Sequence, residues 1–327
     1  MKALQLIKYG EIKDSLAFNE VSKPTVQAND VLIEVKAAAI NPIDKSIILG
    51  NLQSIIPISF PSTSAYDVSG VVVEKGDEVR HFEIGDLVYS RVPQEQMGTI
   101  AEYIAVNSIA VSKKPGNISF EEAASIPLAG LTALQSLEHV GIKENDKVLI
   151  HAGSGGVGSF AIQYAKSKGA YVYTTTSTDN VEWVKALGAD RVIDYKKENY
   201  KTIVKDADIV FDTLGKNYTL EALQLVKQGG KVVSVVGPLD EESAKMWGMT
   251  DYKLPKELAE VIRAKDASYK FIFMHPSGAH LSEIKSLIED EKIKPIIDKV
   301  YSFSESIEAF THLASGRAKG KIVIKIN

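Results

Sequence analysis

The sequence contains no cysteine among its 327 residues. Disulfide bonds, zinc sites built from thiolates and nucleophilic thiol catalysis are therefore excluded. Neither sign of charge is in large excess, because 38 basic side chains accompany 42 acidic ones and the formal net charge is −4. A chain so balanced has no general attraction for nucleic acid or for anionic membranes, and we expect neither as a partner.

Long apolar runs are also missing. The segment from Met1 to Glu20 is interrupted by charged side chains, which leaves no apolar core of signal-peptide length. No later run approaches the roughly 20 apolar residues that span a membrane. These absences, together with the lack of cysteine, predict a soluble protein of the cytoplasm.

The first third of the chain has the pattern of a β domain. Short apolar runs such as Val31–Ala37, Val68–Val73 and Leu87–Ser90 are separated by turns that contain glycine and aspartate. Regular short strands of this kind predict a compact, barrel-like β domain. Since 327 residues exceed the usual size of a single core, a second domain is expected.

From Ser119 onward the spacing of apolar residues changes from that of strands to that of helices. Ser119 and Glu122 form a capping-box pattern that predicts the start of a helix, and from Lys147 onward strand-like and helix-like segments alternate. Repeated βα units predict an α/β domain with a doubly wound parallel sheet. The predicted strands are Lys147–Ala152, Ala170–Thr175, Arg191–Ile193, Asp208–Asp212, Lys231–Val236 and Lys270–Met274.

The tail returns to β character at Val300–Phe303 and Lys321–Ile326, which predicts that it rejoins the first domain. We therefore expect residues 123–274 to form the doubly wound domain, and residues 1–122 and 275–327 to form the β domain. The segment from Glu241 to Asp266 predicts a helical excursion. It lies either over a ligand cleft or on the surface, and the sequence leaves both interpretations open.

A glycine cluster follows the first strand of the doubly wound domain. Gly153, Gly155 and Gly158 have the spacing G-x-G-x-x-G between an apolar strand and a helix-like segment. One glycine permits the turn, one lets backbone amides approach a pyrophosphate, and one lets the helix pack on its strand. A turn without a ligand is the structural alternative, but the flanking strand and helix favour a dinucleotide. The predicted contacts are Ser154, Gly155, Gly156 and Val157.

The order of several segments resembles the zinc-free quinone oxidoreductase branch of the medium-chain dehydrogenase/reductase family, related to zeta-crystallin and plant enone oxidoreductases. The resemblance covers almost the full length and implies a GroES-like β-barrel domain, a Rossmann domain and a homodimer. The segments that carry it are Asn41–Asp44, Asp67–Val72, Ile84–Val88, Glu121–Ala133, Ala152–Gly158 and Gly320–Val323.

The zinc enzymes of the same fold are a poor match. Asn41 stands where they place their first cysteine, and Ala65-Tyr66-Asp67 stands where they place a Gly-His-Glu turn. We therefore predict no metal site. Without zinc no Lewis acid polarises an alcohol, so the expected chemistry is hydride transfer to an acceptor that is already electrophilic. A quinone or an α,β-unsaturated carbonyl fits, as the resemblance also implies.

Four further residues are candidates for the site. By resemblance, Asn41 lies near the nicotinamide ribose and Thr132 bonds the nicotinamide amide. Tyr66 offers a hydroxyl to a substrate carbonyl, and Gly237 follows a strand where the cofactor crosses. Each has a structural alternative: a turn for Asn41 and Gly237, a bond to its own helix for Thr132, and a buried barrel position for Tyr66.

The second predicted strand of the doubly wound domain runs into the threonine and serine segment Thr174–Thr178. No acidic residue stands at the end of this strand, where NAD enzymes carry the acid that binds the ribose. Ser177 and Thr178 are natural donors to a phosphate, and Tyr195 resembles a family position beside the adenosine phosphate. We therefore predict NADPH. One departure opposes this prediction, because Asn180 stands where relatives often carry a lysine and the acid Asp179 precedes it.

The predicted function is NADPH-dependent reduction of a quinone or of the C=C bond of an enone. Reduction of another activated alkene, an enoyl thioester or a 2-substituted acrylate, is the enzymatic alternative. A protein that binds NADPH without catalysis is the alternative from a different class, and the glycine motif fits all three.

Overall fold

Short apolar runs form the strands of the computed structural model, which describes residues 1–326. The strands are β1 Lys2–Leu6, β2 Leu16–Glu20, β3 Asp30–Ile40, β4 Ser62–Thr63, β5 Asp67–Lys75, β6 Leu87–Arg91, β7 Tyr103–Asn107, β8 Val111–Lys113, β9 Lys147–Ile150, β10 Tyr171–Thr176, β11 Arg191–Asp194, β12 Ala207–Asp212, β13 Val226–Ser234, β14 Ser268–Phe271, β15 Ile297–Ser302 and β16 Lys321–Lys325. The helices are α1 Ile12–Ser15, α2 Pro42–Ile48, α3 Phe120–Ala124, α4 Pro127–His139, α5 Gly156–Ser167, α6 Val181–Lys185, α7 Tyr200–Ile203, α8 Asn217–Leu225, α9 Glu241–Met246, α10 Lys256–Lys265, α11 Gly278–Glu289 and α12 Ser306–Ala314.

The chain divides into two units. The first comprises Met1–Leu131, His275–Glu291 and the chain from Pro295 on, and the second comprises Thr132–Met274 and Lys292–Lys294. The first unit contains a seven-stranded sheet in the order β15-β16-β3-β5-β6-β8, with β7 also paired to β3, and a three-stranded sheet in the order β2-β1-β4.

The tail of the chain joins the β domain, as predicted. Strand β16 pairs antiparallel with β3, so that Ile322 lies opposite Ile40. Both strands contribute buried aliphatic side chains to one core, which also contains Leu4, Val68 and Phe310. Burial of this apolar surface is what holds the late segment to the early one.

The second unit contains a six-stranded parallel sheet in the order β11-β10-β9-β12-β13-β14. Strand β9 is apolar throughout its fully buried run Val148–Ile150, as expected for a strand covered on both faces. The chain leaves β9 in one direction for β10 and β11, then returns to β12 on the other side. The predicted doubly wound fold is confirmed, with its switch point between β9 and β12.

Local details follow the sequence, and the differences lie at the ends of strands. The capping box is present, since Ser119 Oγ accepts from Glu122 N at 3.1 Å and Glu122 Oε2 accepts from Ser119 N at 2.8 Å. Strand β9 ends two residues before the predicted Ala152, because Ala152 has φ of 51° and turns the chain. The helical excursion forms α9 and α10, and α10 buries Leu258 in the core of the second unit.

Candidate functional site

The glycine-rich turn joins β9 to α5 at the carboxyl end of an inner strand of the parallel sheet. After Ala152 turns the chain, Gly153 donates its N–H to the Thr175 carbonyl at 2.9 Å. A Cβ on Gly153 would lie 2.2 Å from Thr174 Oγ1, and a Cβ on Gly158 would lie 2.3 Å from the Ala152 carbonyl oxygen. Both positions require glycine for the turn to close and for the helix to pack on its strand.

Gly155 has a different role. It is the N-cap of α5, and a Cβ there would meet only the Ala152 carbonyl oxygen, at 3.4 Å. The predicted pyrophosphate contacts Ser154, Gly155, Gly156 and Val157 are only partly buried, so accessible space adjoins them. Amides in the first turn of a helix have no acceptor within it and carry the positive end of its dipole. The turn therefore fits a pyrophosphate.

The carboxyl ends of β10 and β11 come together where contacts to the adenosine phosphate are predicted. Thr178 Oγ1 donates to Asp194 Oδ2 at 2.7 Å, and this bond is the largest cause that lowers the pKa of Asp194. A hydroxyl has one proton, so Thr178 cannot donate to a phosphate while the bond is intact. Thr178 is thus not the free donor that the sequence predicted. Asp194 was missed because it belongs to the neighbouring strand.

Ser177 accepts a hydrogen bond instead of donating one to the protein. Asn180 Nδ2 donates to Ser177 Oγ at 3.0 Å, and Asn180 Oδ1 accepts from Trp183 Nε1 at 3.0 Å. The Ser177 proton thus stays available for an external acceptor. Tyr195, beside this turn, is 56% exposed. The predicted contacts Ser177 and Tyr195 are both accessible at this end of the sheet, and Asn180 orients Ser177.

Asp212 organises the turn after β12 and is not among the site residues predicted from the sequence. Its carboxylate accepts from the backbone N–H groups of Leu214 and Gly215, both at 2.9 Å. It also accepts from Thr219 Oγ1 at 2.7 Å and Ser234 Oγ at 2.9 Å. An acid directly after the apolar run Ile209–Phe211, at the carboxyl end of the strand, was the signal that could have identified it.

Gly237 packs against the same network. Its N–H donates to Ser234 Oγ at 2.8 Å, and a Cβ on Gly237 would lie 2.7 Å from the Tyr269 hydroxyl. Glycine is therefore required here by close packing, and its contact with a cofactor stays a prediction. Thr132, the other candidate of the second unit, is buried in α4.

His151 lies directly before the glycine turn and is fully buried. Its Nδ1 is 3.3 Å from Thr175 Oγ1, its Nε2 has no hydrogen-bond partner among residues 1–326, and its ring meets Tyr200 and Tyr218 edge-on. Burial lowers the pKa of His151 to about 4. The imidazole is therefore neutral at pH 7 and adds no positive charge beneath the turn.

The first unit holds a buried polar cluster around Asn41, the N-cap residue of α2. Asn41 Nδ2 donates to Asp67 Oδ2 at 2.9 Å, and the backbone N–H of Asn41 donates to Asp44 Oδ2 at 2.7 Å. Lys321 Nζ donates to Asn41 Oδ1 and lies 3.1 Å from Asp67 Oδ2. The sequence placed Lys321 and Asp67 only within segments that resemble the family. Their contact with Asn41 is seen in the structure alone.

Tyr66, the predicted hydrogen-bond donor, is fully buried, and its hydroxyl has no partner among the described residues. Burial raises the pKa of Tyr66, so the phenol stays protonated at every physiological pH. The Arg91 guanidinium lies over the ring, 4.5 Å from its centre. Asp44 Oδ1 is a second buried atom without a partner in residues 1–326, and burial is the main reason why the pKa of Asp44 rises to about 7.

Residues 1–326 lack both a metal-binding cluster and a membrane-spanning helix. No group of three or more histidine, aspartate or glutamate side chains is placed to hold a metal ion. No helix in this range combines the length and apolar character needed to cross a bilayer. The predicted absence of zinc stays a prediction.

The chain is similar to known proteins over its full length. Residues 27–116 match the family described as alcohol dehydrogenase GroES-like domain, and residues 187–324 match the family described as zinc-binding dehydrogenase. The 2-methylene-furan-3-one reductase of Solanum lycopersicum is 35% identical over 99% of this chain and 79% of its own length. The chloroplastic NADPH-dependent alkenal/one oxidoreductase of Arabidopsis thaliana is 33% identical, with the same two coverages of 99% and 79%.

Among solved structures, the quinone oxidoreductase from Coxiella burnetii superposes with a TM-score of 0.86 at 33% identity, over 100% of this chain and 99% of that one. The similarity thus includes both units, the glycine turn and the segments around Asn41 and Lys321. The chain belongs to the medium-chain dehydrogenase/reductase family.

Proposed function

We propose that the protein is an NADPH-dependent reductase that delivers hydride to a quinone or to the C=C bond of an α,β-unsaturated carbonyl, without a metal ion. The observation that carries this proposal is the glycine turn, which excludes side chains at Gly153 and Gly158 but leaves space at Gly155. Such a turn serves a pyrophosphate rather than a packed core. The relatives named as alkenal/one, furanone and quinone reductases support the choice of acceptor.

In the second unit, we assign the pyrophosphate to the amides of Ser154, Gly155, Gly156 and Val157. NADPH supplies the hydride when it is bound. Ser177 donates to the 2′-phosphate and Tyr195 covers it. Thr178 does not bind the phosphate itself, because its hydroxyl donates to Asp194. Thr132 and Gly237 line the nicotinamide half.

In the first unit, Asn41 contacts the nicotinamide ribose and Tyr66 binds the substrate oxygen. A buried hydroxyl without a partner is costly, and a ligand oxygen that accepts its proton removes that cost. The same oxygen gains negative charge as hydride arrives at the conjugated carbon. Tyr66 therefore stabilises the developing charge without transferring its proton, since burial raises its pKa. The anion formed by hydride transfer takes its proton from water.

The test is a substrate panel on purified protein dialysed against EDTA, with NADPH consumption as the readout. The panel contains a quinone, an enone, an enoyl thioester and a 2-substituted acrylate. Turnover of the quinone or the enone supports the proposal, and preference for either of the others assigns the alternative substrate class. Binding of NADPH without consumption by any acceptor would refute the reductase and leave a non-catalytic NADPH-binding protein.

We also propose a homodimer, as the family resemblance implies. Light scattering during size-exclusion chromatography should give twice the 35.6 kDa of one chain. The cytoplasmic location predicted from the sequence stays a prediction, since one of the relatives is chloroplastic.

A further inference from the structure

We propose that Asp67 and Lys321 are positioning residues, whose buried ion pair sets the orientation of the Asn41 amide for ligand binding. This inference rests on the proposed function, because Asn41 is there assigned to the nicotinamide ribose. It adds two residues that neither bind nor react but determine what Asn41 presents.

The charges decide which way the amide points. Lys321 Nζ donates to Asn41 Oδ1, and Asn41 Nδ2 donates to Asp67 Oδ2 at 2.9 Å. An ammonium group has only donors and a carboxylate has only acceptors. A flipped amide would place N–H against the ammonium and oxygen against the carboxylate, so only one orientation is stable. Since Nδ2 carries two protons and Asp67 takes one, the second remains for a ligand.

The pair itself has little freedom to move. The three protons of the Lys321 ammonium go to the Ile40 carbonyl at 3.2 Å, to Asn41 Oδ1 and to Asp67 Oδ2 at 3.1 Å. The other oxygen of Asp67 accepts from the Leu128 N–H at 2.8 Å. A network in which each charged group has its partners is rigid.

Burial argues that this arrangement is not primarily for stability. Lys321 is 6% exposed and Asp67 is completely buried. Two charges removed from water gain little net stability over an apolar pair of similar size, so a buried ion pair is weak support for a stabilising role. The ion pair fixes the orientation of the Asn41 amide, which an apolar pair would not do.

The backbone of Asn41 is held as well. Its N–H donates to Asp44 Oδ2 at 2.7 Å, and Pro42 begins α2 directly after it. The amide therefore extends from a constrained backbone and is oriented at its end by Lys321 and Asp67. Loss of Lys321 should release the end of this side chain while its base stays in place.

The experiment is a double-mutant cycle on the full-length protein with Lys321→Met, Asn41→Ala and the combination. NADPH dissociation constants come from nicotinamide fluorescence, and kcat and the isotope effect come from NADPH deuterated at the transferred hydride. Lys321→Met should weaken NADPH binding by about tenfold, but it should have almost no effect in the Asn41→Ala background. Lys325→Met is the matched control, since Lys325 is on the same strand and pairs with Glu121 at the surface.

Since Lys321→Met leaves the buried Asp67 carboxylate without its cationic partner, the variant with both Asp67→Asn and Lys321→Met keeps the test usable if the single one does not fold. It removes both charges and should lose NADPH affinity to a similar degree. Wild-type affinity and isotope effect in a folded Lys321 variant, or a loss that adds fully to that of Asn41→Ala, would overturn the positioning role. If the wild-type protein binds NADPH but reduces no acceptor, only the proposed reductase activity is refuted. The NADPH dissociation constants of the four proteins then still test the positioning role. Protein that binds no NADPH overturns both.

Discussion

Thr178 and Asp194 share a hydrogen bond of 2.7 Å at the ends of two adjacent parallel strands. The same carboxylate accepts from the backbone N–H of Lys196 at 3.1 Å and lies 3.6 Å from the Lys197 ammonium. An acid thus lies close to Ser177, which we proposed as the donor to the 2′-phosphate, although it is not in the strand that usually carries the acid of NAD enzymes. The carboxylate opposes a phosphate by its charge, and Lys197 offsets part of this effect.

Asp194→Asn should raise the preference for NADPH over NADH. The substitution removes the negative charge that opposes the 2′-phosphate, so we expect the ratio of the two dissociation constants to change about fivefold. Fluorescence titration with both cofactors measures the ratio. The change should shrink as salt is added, because the Lys197 side chain beside Asp194 is 68% exposed and mobile ions reach this pair of charges.

Asp190→Asn is the control for this prediction. Asp190 pairs with Lys166 at 2.7 Å just before β11, at the opposite end of the strand, so its loss should leave the ratio unchanged. Equal ratios in the Asp194 variant and the wild type would mean that the carboxylate does not affect the phosphate.

The contrast between the glycine turn and Asp194 shows what the sequence could predict. The turn depends on residues within one short segment, and their spacing alone identified the strand, the turn and the helix. The bond between Thr178 and Asp194 depends on which strands lie side by side. The contact between Lys321 and Asn41 joins residues 280 positions apart. Such pairings arise from tertiary packing, so local patterns predict the residues but not their partners.

Tyr66→Phe should lower kcat without lowering stability. The Tyr66 hydroxyl is buried without a partner in the described chain, so its removal costs the folded state no hydrogen bond. If the hydroxyl binds the substrate oxygen, kcat should fall by about one hundredfold. NADPH affinity should not change. Initial rates at saturating NADPH and thermal unfolding measure the two effects.

Tyr89→Phe should give the opposite result. Tyr89 is equally buried, but its hydroxyl donates to the Leu281 carbonyl at 2.5 Å. Its removal should destabilise the protein by about 1 to 3 kcal/mol with kcat unchanged. If both variants lost stability and kept their rates, the hydroxyl of Tyr66 would have no role in catalysis.

Gly155→Ala and Gly158→Ala should separate ligand approach from packing. A Cβ at position 155 meets only one atom, at 3.4 Å, so this variant should fold normally. It should nevertheless bind NADPH at least about tenfold more weakly, because the methyl group occupies the space of the pyrophosphate. Gly158→Ala should instead lose stability, since its Cβ would lie 2.3 Å from a carbonyl oxygen. Unchanged NADPH affinity in Gly155→Ala would contradict the assignment of the pyrophosphate to this turn.

Asp44 should make stability depend on pH. Burial is the main cause that raises its pKa from 3.8 to about 7. Between these values the folded state holds a proton that the unfolded state has lost, so the free energy of unfolding falls as pH rises through this window and is flat above it. The full effect is on the order of 4 kcal/mol.

Asp44→Asn should remove this slope, because an amide does not titrate and its oxygen can still accept from the Asn41 N–H. Urea unfolding from pH 4 to pH 8 would give the difference between variant and wild type, which should grow up to about pH 7 in favour of the variant. The lowered pKa of His151 gives a slope of the opposite sign below pH 6.5, but it is present in both proteins and cancels. A difference independent of pH would show that Asp44 ionises normally.

Lys216→Gly should stabilise the protein. The Tyr218 N–H donates to the Gly215 carbonyl at 3.0 Å, and Lys216 between them has φ of 53° and ψ of −131°. These angles belong to the first central residue of a type II′ turn, which favours glycine because a Cβ is strained there. Relief of the strain, less the extra entropy of glycine in the unfolded chain, should add about 1 kcal/mol. Lys216→Ala keeps the Cβ and should add nothing, so equal unfolding midpoints for the two variants in urea would exclude strain as the cause.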